Sequence, residues 1–581
     1  MGLRFVFGRG GSGKSTYLLN EIKTRVQDNE TSSVILLVPE QYSFEMEKRV
    51  SSLYLGKEKD KYMRTRVLSF NTMSALVFTK TGGLTDVNIN SSGKAMITYK
   101  AIEKVADELN VFSKAASQTG FVGSVSEMIS ELKQYNVNYD MLEYISEDIE
   151  NETLRLKLKD VSKIYEAFEN ELHENYVDSQ DMLGSLAVKL ENTSYFDGCY
   201  VYIDEFTGFT PKQYSILAKL LKKAKEVTIA LTVDNVNYLN YRKNDPFSRT
   251  KYTYEKLRKL AMDNGVKINP YVDLNRGKIK RFENNKELLH LERYYHAYPY
   301  HDYEEEVNYI KIKEFNNLYE EVEHIAKEIV NLVRDNNIRY KDITVATRDL
   351  NRYDFLVHSI FNEYEIPNFI DKKRDVKSNP IIVLITSALE IKNKRYSYEV
   401  MFRYLKSGLI GLSVDEVSLI ENYVILNGIK GKKWLEEKWE YRAINNYNSE
   451  MSEEEAETIN KINEIKNRVL GPVIKLQNKL KGKKSCREIC KNIYEFLVDI
   501  NMEETIYDLV EGFKEKGELE IASQYSQVWD IVIDILDQIV EIMGDDVVSM
   551  DRFIKIISLG FEEYELGLVP PSVDQVLVSS V

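Results

Sequence analysis

The most constraining stretch of this chain is Gly8-Arg9-Gly10-Gly11-Ser12-Gly13-Lys14-Ser15, followed by Thr16. It fits G-x-x-x-x-G-K-[ST], a loop that needs a strand before it and a helix after it. The flanks supply both. Leu3 to Phe7 reads as a short buried strand, and Leu18, Ile22 and Val26 recur every fourth residue as one helical face. Such a junction aims several main-chain N–H groups and a helix N-terminus at one point, which suits a phosphate. Glycines let the main chain approach without a Cβ in the way. The pattern assigns Gly8, Arg9, Gly10, Gly11, Ser12, Gly13, Lys14 and Ser15 to ATP binding. Lys14 would reach the β- and γ-phosphates, and the Ser15 hydroxyl would hold Mg2+. A glycine turn with no ligand is the alternative.

Two more apolar runs come next. Val34 to Val38 ends at Pro39-Glu40-Gln41, and Arg66 to Phe70 includes Ser69. Ligands of open α/β sheets sit beyond the carboxyl ends of strands, so Glu40, Gln41 and Ser69 are rim candidates. Taken alone, any one of them reads better as an ordinary strand-end loop. The second strong signal is Tyr200-Val201-Tyr202-Ile203-Asp204-Glu205. A hydrophobic strand ends here in Asp204, which can hold Mg2+, and Glu205, which is placed to polarise an attacking water. These two are the candidate catalytic residues. Val227 to Asp234 reads as the next strand, and Thr232 is either a γ-phosphate sensor or a plain strand terminus.

Between these strands the pattern is helical from about Gly93 to Asp178, with Phe121, Val125, Met128, Ile129 and Leu132 on one face. Asp178 and Asp181 read as a capping pair at a helix start. After the acidic run Asp302 to Glu306, strand and helix patterns alternate. Strands are predicted over Tyr309 to Lys313, Ile343 to Ala346 and Ile366 to Ile370, with helices over Glu320 to Val333 and Tyr353 to Tyr364. That order predicts a second parallel sheet. Arg348, at a strand end, either faces a nucleotide or lies on the surface. From about Pro380 to Leu566 nearly everything is helix, and Val573 to Val578 is a last strand. The fold class is α/β, with large α-helical insertions.

A formal net charge of −14 excludes a wholly basic nucleic-acid protein but leaves room for a local basic groove. Lys278 to Arg281 is a small basic cluster. Lys475, Lys479, Lys481, Lys483, Lys484, Arg487 and Lys491 form a longer one, which either grips phosphates or is a solvated face. Three cysteines make no disulfide framework, which points to a reducing compartment. Cys486 and Cys490, four apart, lack further ligands and make a poor metal site. With no leader before the first strand and no membrane-length apolar run, a cytoplasmic protein with no membrane partner is expected.

Several segments together carry a family resemblance. They are Leu3 to Thr16, Val38-Pro39-Glu40-Gln41 with Phe44 and Met46, and Tyr202-Ile203-Asp204-Glu205-Phe206-Thr207-Gly208-Phe209-Thr210-Pro211. Thr344 to Leu350, Phe402 to Leu409 and Leu568 to Val576 complete the set. The chain resembles the AddB subunits of AddAB (RexAB-like) helicase–nucleases, relatives of superfamily 1 helicases. The resemblance implies P-loop RecA-like parallel-sheet domains. The first occupies 1–92 and 179–300, with a helical insertion at 93–178. The second starts at 301–380, carries a large helical insertion at 381–566 and regains a strand at 567–581. It also implies a heterodimer with an AddA-type subunit, acting on DNA ends and single-stranded DNA in recombinational repair. The helicase-like half of such subunits is generally a weak or silent motor implicated in scanning for a Chi sequence. Full-length members end in a nuclease domain held by a 4Fe-4S cluster.

The chain departs from that pattern at Val581, where it stops, so no iron–sulfur ligand or nuclease carboxylate is assigned. No glutamine motif precedes the first strand, and Asn240-Tyr241-Arg242 is too weak for a Gln-Asn-Tyr-Arg motif. The arginine motif near the end of a helicase would lie beyond Val581. Hydrolysis leans on an arginine across the cleft, so ATP binding is better supported than fast turnover. The competing reading is a DNA-binding scaffold with a structural or silent ATP site. A small-molecule P-loop kinase is disfavoured by the helical insertions.

Overall fold

The computed structural model describes residues 1–27, 33–54, 64–82, 87–116, 118–173, 176–236, 245–276, 279–372, 374–441, 452–566 and 574–580. Asn240-Tyr241-Arg242, Lys278 and Leu568 to Val573 lie outside the described residues. The chain forms two compact units, residues 1–88 with 127–313 and residues 89–126 with 314–581.

The first unit is built on one sheet. Its strands are β1 (Gly2–Gly8), β2 (Val34–Leu37), β3 (Thr65–Leu68), β4 (Tyr200–Ile203), β5 (Glu226–Thr232), β6 (Lys267–Ile268) and β7 (Val272–Asp273). They run in the order β3-β2-β4-β5-β1-β6, with β7 also on β1. Every pairing is parallel. A parallel sheet is covered on both faces, which is why its inner strands β2 and β4 read as unbroken apolar runs. Alternate side chains enter two different cores. Leu3, Phe5 and Phe7 join Ile203, Leu231 and the helices α2 (Phe70–Thr81) and α6 (Pro211–Lys223) on one face. Val6, Leu36 and Tyr202 meet Leu18, Ile22 and Val26 of α1 (Lys14–Gln27) on the other. The every-fourth-residue stripe of the sequence is the buried face of α1. Burying each of these aliphatic side chains contributes about 1.5–3 kcal/mol.

Register sets the site. Gly8 lies opposite Thr232, and Ile203 opposite Ile229. The carboxyl ends of β1 and β4 therefore flank that of β5, and the residues after Gly8 and after Ile203 face the same edge.

The strand-end reading of Ser69 and the capping reading of Asp178 and Asp181 both resolve into local structure. Strand β3 ends at Leu68, and Ser69 caps α2. The Ser69 side chain accepts from the Thr72 N–H at 3.1 Å, and the Thr72 hydroxyl accepts from the Ser69 N–H at 2.7 Å. Ser69 is buried, so it serves the helix and not a solvent rim. Asp178 Oδ1 accepts from the Asp181 N–H at 2.8 Å at the start of α5 (Ser179–Asn192), the capping that the spacing predicts. A further role was not legible. Lys133 of α3 (Thr119–Gln134) is buried, and its ammonium lies 2.9 Å from Glu169 of α4 (Glu152–His173), 3.0 Å from Asp178 and 2.5 Å from Asp181.

The segment Tyr309 to Lys313 is not a strand. Glu287, buried on α8 (Lys286–Tyr294; α7 is Ser248–Asp263), takes its amides instead. The Glu287 carboxylate accepts from the N–H groups of Asn308 (2.5 Å), Tyr309 (2.8 Å) and Ile310 (3.1 Å). Desolvation works to raise the Glu287 pKa, and the three N–H donors outweigh it and hold the carboxyl below its ordinary range. The alternation that mimics a strand leaves Ile312 at the surface, 95% exposed.

The second unit has its own parallel sheet. Strands β8 (Thr344–Thr347), β9 (Asn368–Ile370) and β10 (Val576–Ser580) are ordered β8-β10-β9. Val576 and Val578 of the central strand pack on α9 (Leu318–Asn336) and α10 (Leu350–Glu363). Arg348 lies exposed after β8. Helices dominate from Pro380 to Glu562, and the helix Ser91–Val105 packs with them through Ser92, whose hydroxyl donates to Gly560 O at 2.7 Å. Cys486 and Cys490 are buried core residues. Within the basic stretch, Lys475 pairs with Asp499, Lys479 with Glu495 and Lys484 with Glu488, the behaviour of a solvated helix face.

Candidate nucleotide site

The loop after β1 is shaped by its glycines. Gly11 (φ 75°) and Gly13 (φ 89°) sit in the left-handed region, where a side chain is strained. A Cβ on Gly8 would lie 2.1 Å from Ser12 Oγ. The loop closes with Ser12 N–H donating to Arg9 O (3.3 Å), and α1 opens with Tyr17 N–H donating to Gly13 O (2.8 Å). The Ser12 hydroxyl is buried with no hydrogen-bond partner among the described residues. A buried hydroxyl left unpaired is costly and marks a place for an acceptor from outside the chain.

Lys14, Ser15, Asp204 and Glu205 come together at this loop. Lys14 Nζ donates to Arg9 O at 3.1 Å. Burial lowers the pKa of its ammonium, against the pull of the Asp204 and Glu205 carboxylates. Asp204 leaves β4 fixed by its N–H on Leu37 O (3.1 Å) and is 3% exposed. Burial raises its pKa, and the nearby Ser15 side chain opposes that rise. The Ser15 hydroxyl donates its proton to Glu205 Oε1 at 3.1 Å. Glu205 has a left-handed backbone (φ 63°), and its N–H donates to Asp204 Oδ1 at 3.0 Å. Behind it Phe206 and Phe209 stack at 4.9 Å and pack on Phe70, which fixes the strand end. Glu40 and Gln41 are exposed in a 3-10 turn after β2.

Other residues shaping the loop were not visible in the sequence. Arg9 N–H donates to Asn275 Oδ1 at 2.8 Å, and Asn275 Nδ2 donates to Val233 O and Asp234 O, 3.0 Å each. Arg9 Nε pairs with Glu292 Oε1 at 2.8 Å, and Arg9 Nη2 reaches Glu292 O at 2.5 Å. Arg281 and Phe282 lie on the loop: a Cβ on Gly11 would be 2.9 Å from Arg281 Cβ and 3.0 Å from Phe282 Cε2. Arg281 is exposed, and its charge bears on Lys14. These partners stand far along the chain from the loop, and no local spacing announces them. The basic run around Arg281 was the one available hint.

Ser15 and Asp204 supply an oxygen pair of the kind Mg2+ takes alongside phosphate oxygens. Among the described residues no group of three or more His, Cys, Asp or Glu is arranged to hold a metal. Among them, too, no helix is long and apolar enough to cross a membrane.

Comparison with known proteins gives the family. The family model described as "ADDB, N-terminal" matches residues 5–292. The B subunit of the ATP-dependent helicase/deoxyribonuclease of Clostridioides difficile (strain 630) is 68% identical over 581 residues, covering all of this chain and 50% of that protein. The proteins of the same name from Caldanaerobacter subterraneus subsp. tengcongensis and Clostridium botulinum (strain Loch Maree / Type A3) are 46% and 43% identical, again over all of this chain and 50% of each relative. The chain thus spans about half the length of the curated relatives it matches. With the family model seated on the sheet that carries the loop, and identity running from end to end, this chain belongs to the AddB family.

Proposed function

We propose that the first unit binds Mg·ATP as part of the B subunit of a helicase/deoxyribonuclease. The observation that carries this reading is the convergence of Lys14, Ser15 and Asp204 on a loop whose buried Ser12 hydroxyl has no partner among the described residues. Gly8 to Ser15 would cradle the phosphates, Lys14 would reach the β- and γ-phosphates, and Ser15 with Asp204 would hold Mg2+. A bound Mg2+ supplies charge neutralisation on the phosphate oxygens. Glu205 is the candidate for orienting water, and Arg281 brings a second cation to the loop from the same unit. On the family reading the whole protein pairs with an AddA-type subunit, works on DNA ends and single strands in recombinational repair, and scans for a Chi-like sequence. The nuclease and its 4Fe-4S cluster belong to full-length members.

A second reading, a silent or structural ATP site in a DNA-binding scaffold, is favoured by one contact. The Ser15 hydroxyl donates to Glu205 Oε1, so Glu205 is tied to the residue assigned to Mg2+ and is left with Oε2 to orient water. Equilibrium binding of a fluorescent ATP analogue to the full-length protein tests the site itself. Lys14→Ala removes a charged hydrogen-bond donor, a loss of about 1.5–3 kcal/mol or roughly 10- to 150-fold in affinity. Unchanged affinity refutes the site. DNA-stimulated turnover of the complex separates the two readings: if Lys14→Ala in this chain leaves it unaltered, the silent site stands and the motor does not.

A further inference from the structure

We infer that helix α8 ties the nucleotide loop to the segment 308–310, with Glu292 and Glu287 as positioning residues for the site at either end of the tie. The inference rests on the proposed nucleotide reading and goes beyond it.

At the carboxyl end of α8, Arg9 is held through both its side chain and its backbone. Its guanidinium takes Glu292 Oε1 (2.8 Å), Glu292 O (2.5 Å) and Arg293 O (3.4 Å), and it lies over the Phe247 ring at 5.2 Å. A cation at a helix C-terminus answers free carbonyls and the helix dipole together. Its main-chain N–H is fixed by Asn275, which also grips the end of β5 through Val233 O and Asp234 O. Glu292 Oε2 is buried with no hydrogen-bond partner among the described residues, so Arg9 is what compensates this carboxylate. Moving Arg9 away from α8 would leave the partly buried Glu292 carboxylate without its hydrogen-bonded cation, which resists separation of loop and helix.

Further back on the same helix, Glu287 gathers three successive amides, Asn308, Tyr309 and Ile310. No strand partner competes for them among the described residues. A displacement of Arg9 when phosphates enter the loop thus passes along α8 from Glu292 to Glu287 and on to 308–310. Linkage is reciprocal: releasing 308–310 must alter nucleotide affinity by the same factor with which nucleotide alters their order.

The test uses the full-length protein with a fluorescent ATP analogue and hydrogen exchange at 308–310. In the wild type, ATP is expected to slow exchange at those three amides. Glu287→Ala, remote from the loop, is expected to weaken ATP binding roughly 5-fold or more, the lower end of measured couplings. Glu287→Gln keeps an acceptor and should recover part of the loss, and Glu292→Gln should weaken ATP directly. A fold change that Gln does not lessen points to general loosening and overturns the tie. If the wild type binds ATP, yet Glu287→Ala binds equally and exchange at 308–310 ignores ATP, the inference is wrong and the site reading survives. If the wild type binds no ATP, both fall. The wild-type exchange result decides the matter even where Glu287→Ala fails to fold.

Discussion

Gly11 and Gly13 lie close together in the loop, share a left-handed backbone and differ in one respect. A Cβ at Gly11 meets Arg281 Cβ at 2.9 Å, Phe282 Cε2 at 3.0 Å and Arg281 Cδ at 3.3 Å, while a Cβ at Gly13 meets nothing within 4 Å. Alanine at either position carries a backbone penalty of about 1–2 kcal/mol. It also recovers about 0.4–1 kcal/mol by restricting the unfolded chain. Gly13→Ala should therefore cost about 0.5–1.5 kcal/mol. Gly11→Ala adds overpacking against side-chain atoms near the backbone, about 1–3 kcal/mol more, for a total of about 2–4 kcal/mol. Tryptophan fluorescence cannot report this, because Trp434, Trp439 and Trp529 all lie in the second unit. Native-state hydrogen exchange at the α1 and β1 amides reads the first unit by itself. Arg281→Gly in the Gly11→Ala background removes the clashing arginine side chain and should close part of the gap, as a double-mutant cycle would show. Equal costs for the two alanines, or no recovery with Arg281→Gly, would refute the placement of the 280–282 turn on the loop.

Lys133→Met should destabilise the first unit by about 3–5 kcal/mol near neutral pH, because it takes the nearest ammonium from Asp178, Asp181 and Glu169 and leaves the more distant Lys212, 3.9 Å from Asp181, to face them. The folded Lys133 pKa is raised above 10.5: burial opposes the shift, and the carboxylates of Asp178 and Asp181 outweigh it. Its stabilisation is complete below 10.5 and is lost only as pH rises through the folded value. The deficit of the variant, followed by exchange in α5, should shrink on acidification as the carboxylates take protons; a deficit independent of pH would count against the cluster. Glu21 makes the opposite case. Burial works to raise its pKa, but Arg4 (2.5 Å) and Arg25 (2.9 Å) hold it below 4.5. Its contribution is present above 4.5 and lost as pH falls through the folded value. Acid titration of unfolding should therefore be shallower in Glu21→Gln, and parallel curves would contradict the pairing.

The sheet was legible because parallel strands buried on both faces leave continuous apolar runs, as at Val34 to Leu37 and Tyr200 to Ile203. The loop was legible because its chemistry is local: the consecutive residues Gly8 to Ser15 carry the glycines, the lysine and the hydroxyl. The 309–313 segment shows the limit of such reading. Tyr309-Ile310-Lys311-Ile312-Lys313 alternates like a strand, but a strand needs a neighbour for its amides, and Glu287 had already taken those of 308–310. Ser69 shows the same competition on a smaller scale, since a polar residue at a strand end also suits a helix cap. Arg9, Asn275, Glu292 and Lys133 find partners through the fold, and their sequence neighbourhoods carry no trace of them.

Burial in this site acts on two groups in opposite directions, and the proposed ligand answers both. Desolvation lowers the pKa of the Lys14 ammonium and raises that of the Asp204 carboxyl, so each is pushed toward its neutral form. A triphosphate near Lys14 would favour the charged amine, and a divalent cation near Ser15 and Asp204 would favour the charged carboxylate. Each ligand thus offsets the burial of a different group. On the proposed reading, nucleotide and metal then favour each other's binding through groups of this chain as well as through their direct attraction. The same bias gives the silent-site reading a physical basis. On the proposed reading, a pocket that pairs a polyanion with a cation serves affinity, whereas turnover further requires Glu205 to orient water while Ser15 holds its Oε1. Affinity and turnover rest on different contacts in this loop, and a protein can keep the first while losing the second.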